Sequence, residues 1–355
     1  MSYRDVGWAL LPVRHEDRQP DGQECPSYGS IFSCRSPEGT LVMQKLIVGC
    51  GYLGRRVAAA WRKAGHEVTA LTRSAANAEE LSRLGVRPVI GDVCFPTTLT
   101  ALPTVETVLF AVGFDRASGR SQHEVYVDGL RNVLNQVASR CERFIYISSS
   151  SVYGQSAGEW VDETSPCEPV QSGGQCCLAA EALVREFFPF TNQTAVQRPC
   201  ANVLRLSGIY GPGRLLSRIE SLRAGEPLSG LGGAWLNLIH VDDAVTAVLA
   251  CEQRGQPGET YLISDDRPIR REEYYSQLAR LIDAPPPVFT DDQPAKRGSG
   301  GLNKRCSNKK ARAELGLVPI YSTVNVGLTH ALGLPGGSAT SSDESPSIPP
   351  TAPAE

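Results

Sequence analysis

Residues 44–54 read QKLIVGCGYLG: a short apolar run, then Gly49, Gly51 and Gly54 in the spacing G-x-G-x-x-G. The spacing acquires a physical meaning when a strand precedes it and a helix follows. The first glycine makes a tight turn, the second lets the backbone come close to a pyrophosphate, and the third lets helix and strand pack tightly. The helix start then offers free amides and the positive end of its dipole to the phosphates. A strand is expected over 44–48, a helix over 53–64 closed by Gly65, and a second strand over 67–72. This βαβ setting marks a dinucleotide-binding turn, with Gly49, Gly51, Tyr52, Leu53 and Gly54 as its contact residues.

The same alternation continues outward. A short helix is expected at 78–84, strands at 87–91 and 107–112, a long helix at 121–139 and a strand at 143–148. A helix at 175–187, a strand at 203–206, a helix at 242–253 and a strand at 260–264 follow. The run TVLFAV (107–112) is apolar throughout, as expected of a sheet covered on both faces. Such alternation means a Rossmann-type α/β fold with a doubly wound parallel sheet. In that fold the second strand commonly ends in an acidic residue that binds the ribose of NAD. Thr72, Arg73 and Ser74 stand there instead, and an arginine flanked by hydroxyls suits the 2′-phosphate of NADP better, although Arg73 could also simply face solvent. Asp92, followed by Val93, is placed either to accept from an adenine amino group or to hold a turn. Ala111, Val112 and Gly113 close the fourth strand with little bulk, where a cofactor can approach.

Bulk properties exclude several classes. The 355 residues are 41% hydrophobic with a formal net charge of -3, and a pI near 6.0 and mean hydropathy of -0.19 describe an ordinary globule. Nothing in that balance points to nucleic acid or a membrane surface. The basic cluster of Lys296, Arg297, Lys304, Arg305, Lys309, Lys310 and Arg312 lacks interleaved aromatics and reads as a solvated face or a phosphate grip. No apolar run reaches the length of about 18 residues that spans a bilayer, and residues 1–20 do not form a secretory signal. Eleven dispersed cysteines without a CxxC pair suggest reduced thiols and a cytoplasmic location, and no metal set is apparent. Residues 1–42 are expected to be a disordered extension, or translation begins at Met43; residues 333–355 read as a polar disordered tail.

Residues 145–154, IYISSSSVYG, put four serines at the end of the fifth strand, which opens into the ligand crevice. With GCGYLG, WVDETSP (160–166), LRLSGIYGPGR (204–214) and LIHVDDA (238–244), this ordered set resembles the extended or atypical short-chain dehydrogenase/reductases, the NAD(P)-dependent epimerases and dehydratases. The resemblance implies that Ser149 bonds the reacting oxygen of a substrate and that Ser148 lies nearer the cofactor. It also implies a Tyr-x-x-x-Lys pair on the next helix, whose register puts Gly173 and Cys177 at those positions. Neither can move a proton or supply a fixed charge as the pair does. Tyr153, Tyr210, His240 and Cys177 are the alternative groups, with Ser149 and Tyr153 the leading catalytic candidates and packing roles favoured for Tyr210 and His240. The resemblance further implies a small-molecule substrate, by analogy a nucleotide sugar, with Arg214 and Arg297 able to hold its phosphates. The expected division is a cofactor core at 43–207, completed by 236–264, and a substrate lobe at 208–235 and 265–332. A competing expectation is a non-catalytic NADP sensor.

Overall fold

The structure, a computed structural model, describes residues 42–189, 199–214, 216–290 and 302–335. Most of the expected extension, the tail beyond residue 335, and Lys296 and Arg297 lie outside the described residues.

β1 (Gln44–Val48) leads through the glycine turn into α1 (Tyr52–Lys63), whose buried Leu53, Val57 and Trp61 recur at helical spacing. Next come β2 (Glu67–Thr72), α2 (Ala75–Arg83), β3 (Arg87–Ile90) and β4 (Val105–Phe110). A π-helical turn (Glu124–Asp128) runs into α3 (Gly129–Val137), and β5 (Cys141–Ser149) ends in a 3₁₀ turn (Ser150–Val152). The chain continues through β6 (Glu159–Val161), α4 (Ser172–Phe187), β7 (Cys200–Leu206) and β8 (Gly208–Tyr210). Then follow α5 (Leu216–Arg223), β9 (Leu228–Ser229), β10 (Trp235–Leu236), β11 (Leu238–His240), α6 (Val241–Arg254) and β12 (Thr260–Ile263). β13 (Ile269–Arg270), α7 (Arg271–Leu281), β14 (Phe289–Thr290), β15 (Lys304–Cys306), α8 (Lys309–Leu315) and α9 (Val324–Ala331) complete it.

Seven strands form one parallel sheet in the order β12-β7-β5-β4-β1-β2-β3. Side chains alternate across it with the period of two that a pleat imposes. Ile47 packs on one face with Trp61 of α1, Val248 of α6 and Leu315 of α8. Leu46 and Val48 pack on the other with Val133 of α3 and Leu183 of α4. A separate cluster of Tyr210, Leu222, Leu228, Ile269, Tyr274 and Leu328 is built from the later elements.

Lys45 is 1% exposed in the middle of this sheet. Its ammonium donates to Thr107 Oγ1 at 3.1 Å and to Glu252 Oε1 at 2.6 Å, while Trp61 Nε1 donates to Glu252 Oε2 at 2.7 Å. One carboxylate on α6 therefore neutralises the buried charge of β1 and ties down α1.

The sheet order reverses at β1, which lies between β2 and β4, so their carboxyl ends splay apart into a crevice. Among the expected elements, the fourth strand ends two residues early; Ala111 N–H still donates to Val48 O at 2.8 Å, and its carbonyl then lies against the glycine turn. The helix expected from residue 121 opens instead as the π-helical turn. None of the helices among the described residues is long and apolar enough to cross a membrane.

Candidate functional site

A cavity of about 850 Å³ occupies the crevice. Of the residues singled out from sequence, Gly49, Gly51, Tyr52, Leu53, Arg73, Ser74, Asp92, Val93, Ala111, Val112, Gly113, Ser148 and Ser149 line it; Gly54 and Tyr153 do not.

The glycine turn divides its labour. Gly49 has φ +94°, and a Cβ there would lie 2.5 Å from the Ala111 carbonyl carbon. A Cβ on Gly54 would lie 2.7 Å from the Gly49 carbonyl oxygen, so these two glycines let the backbone close on itself. Gly51 differs: nothing lies within 4 Å of its hypothetical Cβ, which would project into the cavity. The first amides of α1 have no intrahelical acceptor by helix geometry, and they start here. The result is an open cradle that a side chain would fill.

Next to the cradle, Ser74 caps α2 by accepting from Asn77 N–H at 3.2 Å. Asp92 Oδ1 accepts from Cys94 N–H at 2.9 Å, so this oxygen holds the turn. Arg73 reaches across to Asp115. Beyond the cradle, Arg214 stacks over Tyr52 at 5.0 Å, and Tyr52 donates to Pro212 O at 3.1 Å.

The two serines at the end of β5 are in different states. Ser148 donates its proton to Glu181 Oε1 at 2.7 Å. Ser149 accepts from Ser151 N–H at 3.1 Å, an arrangement that leaves its own proton for the cavity. Glu181, 0% exposed, also receives Arg205 Nε at 2.9 Å, Arg205 Nη2 at 2.7 Å and Arg185 at 3.1 Å. Arg205 Nη1 in turn donates to Tyr153 Oη at 2.8 Å.

This corrects the expectation for Tyr153. Its ring is 0% exposed, turned into the core by the 3₁₀ turn, and burial holds the phenol well above its ordinary value. A candidate acid/base that cannot reach the cavity is a packing residue and hydrogen-bond acceptor.

Gly173 and Cys177 both lie on α4, and Cys177 lines the cavity. Burial, reinforced by Glu181, pushes its thiol up to about 11, so it is neutral at pH 7 and supplies no charge. The space beside Gly173 is met by the Gln122 side chain, 3.4 Å from a hypothetical Cβ. Tyr126, presented by the π-helical turn, also lines the cavity; its oxygen accepts from Phe114 N–H at 3.1 Å, and burial raises its phenol. Sequence reasoning missed Tyr126, Asn77, Asp115, Arg120 and Ser207 as cavity residues. A π-helical turn has no sequence periodicity of its own, though the run Asp115-Arg116-Ala117-Ser118-Gly119 carries a turn signal in its Asp, Ser and Gly.

His240 is a packing residue. Its Nδ1 accepts from Asp242 N–H at 3.2 Å, which places its proton on Nε2, facing His330 Nδ1 at 3.1 Å, with the Tyr321 ring tilted against it at a centroid distance of 3.8 Å. His240, Asp242 and His330 hold their donor atoms within 4.8 Å of one another, but those of His240 are spent on these bonds. Tyr210 is 1% exposed and packs on Gly327. Several described members of the basic cluster turn inward: Lys304 donates to Tyr153 O, Lys310 pairs with Glu259 and Arg312 with Asp266. The nine cysteines among the described residues are free thiols.

Comparison with known proteins accords with this architecture. The family described as "NAD dependent epimerase/dehydratase family" matches residues 46–264. Protein YeeZ of Escherichia coli (strain K12) is 29% identical over 260 residues, covering 71% of this chain and 88% of its own. Short-chain dehydrogenase/reductase family 42E member 1 of Mus musculus is 30% identical over 282 residues, covering 69% of this chain and 68% of its own. In fold, the UDP-glucose 4-epimerase of Thermotoga maritima, solved with UDP-glucose, superposes with a TM-score of 0.69 at 20% identity, over 82% of this chain and 98% of that one. With the match running from the first strand to the end of β12, the chain belongs to the NAD-dependent epimerase/dehydratase family.

Proposed function

We propose that the protein binds a nicotinamide dinucleotide, NADP in preference to NAD, and uses it on a small molecule, with nucleotide sugars as the substrate class. The observation that carries the reading is the cradle at Gly51, open where a side chain would collide with a pyrophosphate. Arg73 and Ser74 at the end of β2 would meet a ribose 2′-phosphate, Asp92 the adenine side, and Ala111 to Gly113 the flank of the cofactor. A nicotinamide ring in the cavity supplies hydride exchange. Ser149 presents its hydroxyl proton to the reacting oxygen, and Arg214 offers a cation to a substrate phosphate. The nucleotide-sugar assignment rests on analogy with relatives such as the Thermotoga maritima epimerase. Free thiols support a cytoplasmic setting.

The rate is set by what stands at 173 and 177. Removing a general acid/base costs a factor of roughly 10² to 10⁴. Ser149 and Tyr126 bring hydroxyls to the cavity, but Cys177 is neutral where a lysine would lower the pKa of a neighbouring phenol. Turnover of UDP-glucose or dTDP-glucose is therefore expected to be slow. The same neutral pair favours the second reading, an NADP-responsive binding protein without turnover.

Calorimetric titration with NADPH and NADH tests the first step. Arg73→Ala is expected to weaken NADPH by about ten- to 150-fold, the equivalent of roughly 1.5–3 kcal/mol, and to leave NADH unchanged. Equal affinities in the parent protein would refute the NADP preference. Incubation with either nucleotide sugar, followed by NMR of the products, then separates the two readings.

A further inference from the structure

One ion pair spans the mouth of the cavity. Arg73, at the end of β2, donates through Nη2 to Asp115 Oδ2 at 3.1 Å. Asp115 lies on the loop after β4, and β2 and β4 flank β1, so the pair arches over the end of β1 where the cradle begins. Both residues line the cavity and remain about half exposed, at 55% and 46% of their side chains.

The two partners are held unequally. Asp115 Oδ1 accepts from Ala117 N–H at 3.0 Å, capping the 3₁₀ turn Arg116–Ser118, while Ser118 Oγ donates to the Asp115 carbonyl at 2.6 Å. The Ala117 amide and the Arg73 guanidinium keep the carboxyl below its ordinary value, so it is charged at neutral pH. Arg73 is a long side chain with five N–H donors, and this contact with Asp115 uses one. The other arginine on this side of the cavity, Arg120, is drawn toward Glu124 at 3.6 Å and lies over Phe95 at 4.7 Å. A fixed carboxylate thus holds the cation that a second anion would need.

We propose that Asp115 is a specificity-determining residue for the ribose 2′ position, competing with a 2′-phosphate for the Arg73 guanidinium. The proposal rests on the dinucleotide reading of the cavity. A dinucleotide with a free 2′-hydroxyl leaves the pair intact. One with a 2′-phosphate must draw Arg73 away and settle beside the carboxylate, which lowers the selectivity that Arg73 alone would give. Asp115 is the brake on NADP preference and Arg73 its source.

The full chain is titrated calorimetrically with NADP⁺ and NAD⁺, which differ only by the 2′-phosphate, as parent, Asp115→Asn and Asp115→Ser; the serine variant retains a turn-capping oxygen without the charge. Both variants are expected to bind NADP⁺ about three- to tenfold more tightly with NAD⁺ changed less than twofold, and the gain should shrink at high salt. In the background of Arg73→Ala the gain should shrink, leaving only the relief of repulsion between phosphate and carboxylate. An unchanged or weakened NADP⁺ affinity in both variants, or a parallel change for NAD⁺, overturns the role of Asp115 while leaving the dinucleotide reading standing. A parent that binds neither nucleotide overturns both.

Discussion

The two ends of the cavity spend their polar groups in opposite ways. At the glycine turn the donors are left unpaired by helix geometry, and the space in front of Gly51 is open. At the end of β5 the donors are mostly used up: Ser148 on Glu181, Arg205 on Glu181 and Tyr153, with Ser149 the serine whose proton stays available. The first end leaves its polar groups facing open space, and the second spends them largely on itself. The two ends can therefore be perturbed separately, on the reading that the first binds and the second reacts.

The largest expected effect breaks the inward-looking end. Glu181→Ala leaves Arg205 buried without a counter-charge, and losing one partner of a buried pair costs about 3–5 kcal/mol. Urea unfolding should show that loss; a decrease under about 1 kcal/mol would mean the Ser148–Glu181–Arg205 network is not what orders this end. Gly51→Val is the converse. Its side chain enters empty space, so the unfolding midpoint should hardly move, whereas NADPH affinity should fall by about 100-fold, equivalent to about 2.7 kcal/mol. If stability and affinity fall together, the glycine turn is structural and the contrast between the two ends disappears.

The smallest effect probes the spent groups beside β11. Burial, with His330 and Arg56 nearby, lowers the His240 imidazole to about 3 from an ordinary 6.5. The folded state then binds fewer protons than the unfolded state between those values, so stability is full above about pH 6.5 and declines as the pH falls through the window. Asp243 and Asp265, raised to about 6 and about 8 by burial, act with the opposite sign and flatten the parent profile. Subtracting the profile of His240→Asn from that of the parent should expose a slope of at most about 1.4 kcal/mol per pH unit between pH 4 and 6. Superimposable profiles would show that His240 titrates normally.

The contrast also explains what could be read from sequence. Glycine spacing and apolar alternation report backbone geometry directly, so the parallel sheet, its crevice and the cradle were legible from QKLIVGCGYLG outward. Tyr153 was not, because the motif VYG names a residue but not the direction in which a 3₁₀ turn points it. Lys304 looked like part of a basic face and is buried against Tyr153 O instead. Asp115 gains its meaning from Arg73, 42 positions earlier, and Tyr126 from the Phe114 amide across the loop and the cavity it lines. Periodicity can say that a position is inside. It cannot say which buried polar groups find each other.

The node around Glu252 has a consequence for how the chain can be cut. Lys45 and Glu252 are separated by 207 residues, yet the first strand places the lysine ammonium inside the sheet. Six of the seven strands of the main sheet precede α6 in the chain, so along the sequence that cation comes long before its counter-ion. A buried charge without a partner is strongly unfavourable, so closing the sheet over β1 without α6 in place would cost about 3–5 kcal/mol. A fragment ending before residue 252 is therefore expected to hold β1, and the glycine turn after it, less stably than the full chain.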